Sequence, residues 1–214
     1  MTIQDEISRA FQLYEEKAFH DSKVSFEKIL KGEMTTAYEI QLRLLYGYPL
    51  SALGLVDKAV DNYKKMGELG KNTFRLEIES QAFHQIGMVY REAGQYPEAI
   101  DYFVQEQEMI YQHFTKNHLF LAANLYELGY TNLLLENDDV AFSFLMDSLT
   151  EAKKSKDLVM EGCAERGLGE FYLKQNEPEA ARAYFEESIQ SFKEAEDEIG
   201  AAEVVEMLNR IVDK

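Results

Sequence analysis

The chain has 214 residues, 46% hydrophobic and 12% aromatic, which is enough to bury a core and excludes a wholly disordered polymer. Its 22 Lys and Arg stand against 39 Asp and Glu, and the resulting formal charge of −17 repels phosphate backbones and anionic lipid surfaces. Neither nucleic acid nor membrane is therefore an expected partner. Three prolines are too few for a Pro-rich linker, and no apolar run is long enough to cross a bilayer. Met1 to Glu6 has neither the basic nor the apolar stretch of a secretory signal, and the lone Cys163 makes no internal disulfide, so the expected compartment is cytoplasmic.

In chain order, apolar residues recur at three- and four-residue steps, which predicts helices throughout. A short first helix pair is marked by Ala10, Leu13, Ser22 and Phe26. Thr36, with Glu39 three residues later, predicts a capping box opening the next helix. Inside that helix Pro49 removes one backbone hydrogen bond and predicts a kink beside Gly47. Gly47 is followed by Ala59 and then Tyr63, and the same triplet returns as Gly87, Ala99 and Phe103, as Gly129, Ala141 and Leu145, and as Gly169, Ala181 and Phe185. The glycines are 40, 42 and 40 residues apart. At such a period each copy is one helix pair: the small residues let two antiparallel helices cross closely, and the bulky one fills the space left. Turns are predicted at Ala93 to Tyr96 and at Lys174 to Glu177, with Pro97 and Pro178 suited to the first turn of the helix that follows. From Asp197 to Lys214, Ile199, Ala202, Val205, Leu208 and Ile211 share one face, with Glu203, Glu206 and Arg210 largely elsewhere. This segment is predicted to be a helix covering the last repeat. The expected architecture is all-α: five antiparallel helix pairs at about 3–34, 35–71, 72–116, 117–156 and 157–196 with a cap at 197–214, in one continuous domain over 1–214.

This pattern resembles the tetratricopeptide repeat, which pairs a glycine or alanine in its first helix with an alanine and an aromatic residue in its second. The match covers almost the whole chain. It departs in period, about 40 residues against about 34, and in having Arg43, Phe83, Leu125 and Glu165 where the family carries tryptophan. The longer period resembles the repeats of kinesin light chains and of Rap-type peptide-sensing regulators. Nothing ahead of the first repeat resembles a helix-turn-helix or a separate bundle, so a whole regulator of that kind is not expected. The resemblance implies a right-handed superhelical solenoid whose first helices line a concave groove. On this chain the groove positions are Phe11 and Tyr14, then Gln41, Leu44 and Tyr48, then Gln81, His84, Met88 and Arg91, then Tyr126, Tyr130 and Leu133, then Arg166, Glu170 and Lys174. The candidate peptide- or protein-binding residues among them are Gln41, Tyr48, Gln81, His84, Met88, Arg91, Tyr126, Tyr130, Arg166 and Lys174. Amides there pair with a peptide backbone, tyrosines stack on its side chains, and arginines receive carboxylates in bidentate fashion. The lysine and asparagine set that clamps a C-terminal carboxylate in some members is replaced by leucine, histidine and tyrosine, so a chaperone-tail clamp is not expected.

Seeds for catalysis are few. Cys163 reads as a partly buried thiol behaving as a small hydrophobe. His20, His84, His113 and His118 lack the helical spacing of a metal pair, and His113 and His118 flank a turn at residues 114–117. Arg166-Gly167-Leu168-Gly169 lacks the lysine and hydroxyl residue of a phosphate loop and lies in mid-helix. The acidic runs at Glu186-Glu187 and Glu194 to Glu198 read as solvated faces. The expectation is a non-catalytic adaptor with no cofactor or metal, whose partner is a protein or peptide segment. The alternatives are a self-assembling scaffold forming a homo-oligomer, an enzyme or a regulatory subunit of an enzyme with a groove site around His84 and Glu92, and an acidic surface that holds a basic protein by charge.

Overall fold

The computed structural model describes residues 2–212; Met1 and the last two residues of the predicted cap, Asp213 and Lys214, lie outside the described residues. Eleven α-helices make up the described chain: α1 (Ile3–Glu15), α2 (Phe19–Ile29), α3 (Thr36–Ala52), α4 (Val56–Asn72), α5 (Leu76–Glu92), α6 (Tyr96–His113), α7 (His118–Leu134), α8 (Asp138–Ser155), α9 (Leu158–Lys174), α10 (Pro178–Glu194) and α11 (Glu198–Val212). They pack as five sequential antiparallel pairs with α11 as the capping helix, the all-α solenoid expected from the repeat. The first pair is the short copy, with helices of 13 and 11 residues where those of the later pairs have 17 or 18. Two compact units are formed, one ending at Glu106 and the other beginning at Gln107, so the boundary falls inside α6.

The repeated small-and-bulky pattern is the packing itself. A Cβ added to Gly47 would lie 1.9 Å from the Tyr63 ring, on Gly87 2.5 Å from Phe103, on Gly129 2.8 Å from Leu145, and on Gly169 2.6 Å from Phe185. No side chain fits at these crossings, while Ala59, Ala99, Ala141 and Ala181 are fully buried beside them. The first copy reaches the same end with other residues: Ala10 faces the helix carrying Phe26, and the buried Ser22 hydroxyl donates to the Ala10 carbonyl at 2.7 Å. Ser148 and Ser188 tie their pairs likewise, donating to the carbonyls of Ala122 at 2.8 Å and Gly162 at 2.7 Å. Each buried hydroxyl is thereby satisfied, and a helix–helix distance is fixed.

Helix ends explain the differences from the sequence reading. The N-cap of α3 is Thr35, one residue before the predicted position; its hydroxyl accepts the Tyr38 N–H at 3.4 Å. Glu39 is then one residue too far along to reach back, and its carboxylate binds Arg43 at 2.6 and 2.9 Å. A capping box does occur, at Thr2 and Asp5. The helix α3 runs through the buried Pro49 to Ala52, Pro97 is the second residue of α6, and Pro178 is the first of α10. Gly94 turns between α5 and α6 at φ +74°, a left-handed conformation natural to glycine, whereas the α9–α10 turn uses Asn176 at φ +60°.

The capping helix is present, but in a different register. Ala201 and Val204 are its buried residues, with Met207, Leu208 and Ile211 packed behind them, whereas Ile199 is 76% and Val205 37% exposed. Two short-range features set this rotation. Asp197 accepts the Gly200 N–H at 2.9 Å and fixes where α11 begins, and Gly200 lies so near the Phe192 ring that a Cβ there would approach within 2.9 Å. The face containing Gly200, Ala201 and Val204 is thus drawn onto α10, and the row Ile199, Ala202 and Val205 points outward.

Candidate functional site

In the first unit, the groove positions lie on α1, α3 and α5. Phe11 and Tyr14 stack with centroids 5.6 Å apart, and Tyr48 of α3 joins them at 6.2 Å from Phe11 and 5.7 Å from Tyr14. Beside this cluster a cavity of about 110 Å³ is lined by Tyr14, Tyr48, Tyr63, Gln85, Met88 and Glu92, among others. Burial pushes the phenol pKa values of Tyr14, Tyr48 and Tyr63 upward, with Glu92 adding to the effect at Tyr14. Glu92 is exposed as a residue, yet partial desolvation of its carboxyl at the cavity raises its pKa, offset in part by Arg91. Gln41 and Gln81 are half-buried, and Arg91 places Nη2 3.3 Å from the Met88 sulfur. His84 places Nδ1 3.0 Å from Glu106 Oε2, and its ring meets the edge of Phe103.

In the second unit, Tyr126 and Tyr130 of α7 stack nearly parallel, 5.7 Å apart. Across from them Arg166 of α9 donates from Nη2 to the Tyr126 hydroxyl at 3.0 Å and places Nη1 3.4 Å from Glu203 of α11. Its Nε is 4.0 Å from Glu170, which in turn accepts the Tyr130 hydroxyl at 3.1 Å. Burial raises the phenol of Tyr126, a tendency that Arg166 opposes. Lys174 sits apart from this network: its ammonium donates to the Leu133 carbonyl at 3.1 Å and pairs with Asp138 at 2.8 Å, binding the end of α7. Leu133 is itself buried. Cys163 is half-buried, and burial pushes its thiol up, the state of an inert cysteine.

Two acidic residues matter here that sequence reasoning passed over. Glu106 stands three residues after Phe103, where Ser148 and Ser188 stand after Leu145 and Phe185, so a charge in a column that faces the partner helix was the available signal. Glu203 was assigned to the outer back of the cap, and only the changed register brings it to Arg166. Elsewhere, Glu151 on α8 gathers His118 at 2.7 Å and Lys154 at 2.6 Å. Among the described residues no group of three or more His, Cys, Asp or Glu is placed to hold a metal ion, and no helix is long and apolar enough to cross a membrane.

Helix pairs that meet through a glycine against a bulky residue, at a period near 40, define a helical-repeat protein. Residues 82–113 and 167–196 each match a family described as the tetratricopeptide repeat. The chain therefore contains tetratricopeptide repeats, one across α5 and α6 and one across α9 and α10. Among solved structures, BtubC (BKLC) from P. vanneervenii is similar with a TM-score of 0.64 at 12% identity, covering 100% of this chain and 92% of that one. Aspartyl phosphate phosphatase F from Bacillus subtilis gives 0.72 at 13% identity, with 99% of this chain spanning 60% of that protein. A putative kinesin light chain repeat protein from Podosopora anserina gives 0.66 at 14%, covering 90% and 96%. At these identities the likeness is one of fold. No curated protein matches the sequence.

Proposed function

We propose that this chain is a non-catalytic cytoplasmic adaptor that binds an extended peptide or protein segment along the groove side of its repeats. Tetratricopeptide repeats are in general protein-interaction modules that use the surface of stacked helix pairs. The observation that carries the reading is the set of half-buried side chains, aromatic, amide, thioether and guanidinium, on the first helices of the pairs. They are Gln41, Tyr48, Gln81 and Met88 in the first unit, and Tyr130 with Arg166 in the second. Each unit supplies polar anchors beside flat rings, the combination that grips a peptide backbone and its side chains. Arg166 already balances carboxylates and a phenol, so a peptide carboxylate would bind there by exchange with Glu203, at 58% exposure the more solvent-open of its two acids.

Selection of random peptides displayed on phage, followed by calorimetry, tests this. Binders selected on the wild type are expected to weaken at least about tenfold on Gln81→Ala/Tyr48→Ala or Tyr130→Ala/Arg166→Glu variants whose circular dichroism is unchanged, about 1.4 kcal/mol or more. Equal binding to all variants would move the interaction off these surfaces.

The outward row on α11, with Ile199 and Val205 exposed, supports a second reading, self-assembly through the end helix. Light scattering across a concentration series decides it: a rising mass that Ile199→Glu abolishes supports assembly, and a constant monomer mass removes it.

A further inference from the structure

The small cavity among α1, α3, α4 and α5 differs from a packing void in what lines it. Tyr14, Tyr48 and Tyr63 contribute three phenol rings, Met88 a polarisable thioether, and Glu92 a carboxylate. Phe11 stands against two of these rings. Aromatic faces carry negative charge density and attract cations that come within about 6 Å of their centroids. Glu92 ends α5 and acts electrostatically on both Tyr14 and Tyr63, so ring density and formal charge converge on one small volume. At about 110 Å³ the space accepts a head group the size of a few waters, each occupying about 30 Å³.

Other occupants fit less well. An anion would meet the Glu92 carboxylate, and an aliphatic side chain would strip water from that carboxylate and from the Tyr14 and Tyr48 hydroxyls without replacing their hydrogen bonds; the Tyr63 hydroxyl already donates to the Leu44 carbonyl at 3.4 Å. A cation satisfies both. Arg91 is the charged neighbour on the same helix; its guanidinium is turned to the Met88 sulfur and only partly offsets the desolvation of Glu92. The charge of −17 favours the same sign of ligand at longer range.

We propose that this aromatic pocket receives the cationic head of a lysine or arginine side chain from a bound peptide, with Tyr14, Tyr48 and Met88 as its walls and Glu92 as its counter-charge. The assignment rests on the groove reading above and gives it a ligand chemistry.

The test uses the full chain and three probes followed by proton NMR at constant ionic strength: tetramethylammonium chloride, a blocked pentapeptide with one lysine among glycines, and the same pentapeptide with norleucine. Ring currents are expected to move the tetramethylammonium methyl resonance upfield in a saturable way. The lysine peptide should displace it and the norleucine peptide should not. Glu92→Gln and Tyr48→Leu are each expected to weaken binding about tenfold, with thermal melts verifying that both variants remain folded. The absence of a saturable shift, equal competition by norleucine, or equal binding by folded Glu92→Gln would overturn the proposal. Tetramethylammonium binding that lysine cannot displace would overturn it in favour of a free ammonium compound. Displayed peptides that bind the groove without any basic residue would remove this pocket and leave the adaptor reading intact. Lysine capture with no selected peptide would do the reverse.

Discussion

The crossing glycines are where single atoms matter most. At Gly47 an added methyl would fall 1.9 Å from the Tyr63 Cζ and 2.0 Å from its hydroxyl oxygen, so either the buried ring or the helix must move. Overpacking of this kind costs about 1–3 kcal/mol, and Gly47→Ala belongs at the upper end because the clash involves both the ring and the hydroxyl of Tyr63, which is 1% exposed. Tyr63→Leu removes the clashing atoms, so the Gly47→Ala/Tyr63→Leu double variant is expected to be more stable than the two single losses sum to. A urea-unfolding double-mutant cycle with additive losses would refute this coupling. Such pairs were legible in the sequence because a glycine and a bulky residue sixteen positions later recur four times, and a recurring distance along the chain reports a recurring distance in space. The His84–Glu106 and Arg166–Glu203 contacts were not legible in the same way. Each occurs once, and each depends on the rotation of one helix against another, which no periodicity encodes.

Individual helices were read well in type and less well in rotation, and α11 shows why. Ile199, Ala202, Val205, Leu208 and Ile211 form a regular apolar row, but so do Ala201, Val204, Leu208 and Ile211, displaced by part of a turn. Periodicity weighs the large Ile199 more heavily, whereas packing selects the row of Ala201 and Val204, because Gly200 lets the helix settle directly on Phe192. Closeness of approach outweighs side-chain size, since dispersion and exclusion of water both need contact without a gap. The two registers give opposite consequences for adjacent residues. Val204 has no exposure, so Val204→Asp buries an uncompensated charge and is expected to destabilise by about 3 kcal/mol or more. Val205 is 37% exposed, so Val205→Asp should stay within about 0.5 kcal/mol of wild type. Urea melts of the two variants compare them directly; a larger loss from Val205→Asp would restore the register read from the sequence. The same reasoning covers α3, where the extended backbone of Thr35, and not the better capping-box spacing of Thr36, decides where the helix begins.

At the scale of the whole molecule, 39 acidic against 22 basic side chains set up a field that acts before any contact forms. That field was legible from composition alone, but a field has no address: it favours any cationic partner and places none. The address is local, in the rings and the carboxylate of the first unit, and it took folding to bring Tyr14, Tyr48 and Glu92 from three different helices to one cavity. The two scales separate in kinetics. Long-range attraction speeds the encounter and is screened as the Debye length contracts from about 10 Å at 0.1 M salt to about 3 Å at 1 M. Contacts inside a half-enclosed pocket are screened much less and govern how slowly the ligand leaves. For a lysine-containing peptide selected on the wild type, stopped-flow association is expected to slow about tenfold between 0.05 and 0.5 M salt, with dissociation changing less than about threefold. Glu92→Gln should do the opposite, raising the dissociation rate while leaving the salt slope of association nearly intact, because it removes one charge from a large excess. If dissociation carried the salt dependence and Glu92→Gln were silent, the peptide would be held by the diffuse acidic surface, and the pocket would have no part in choosing it.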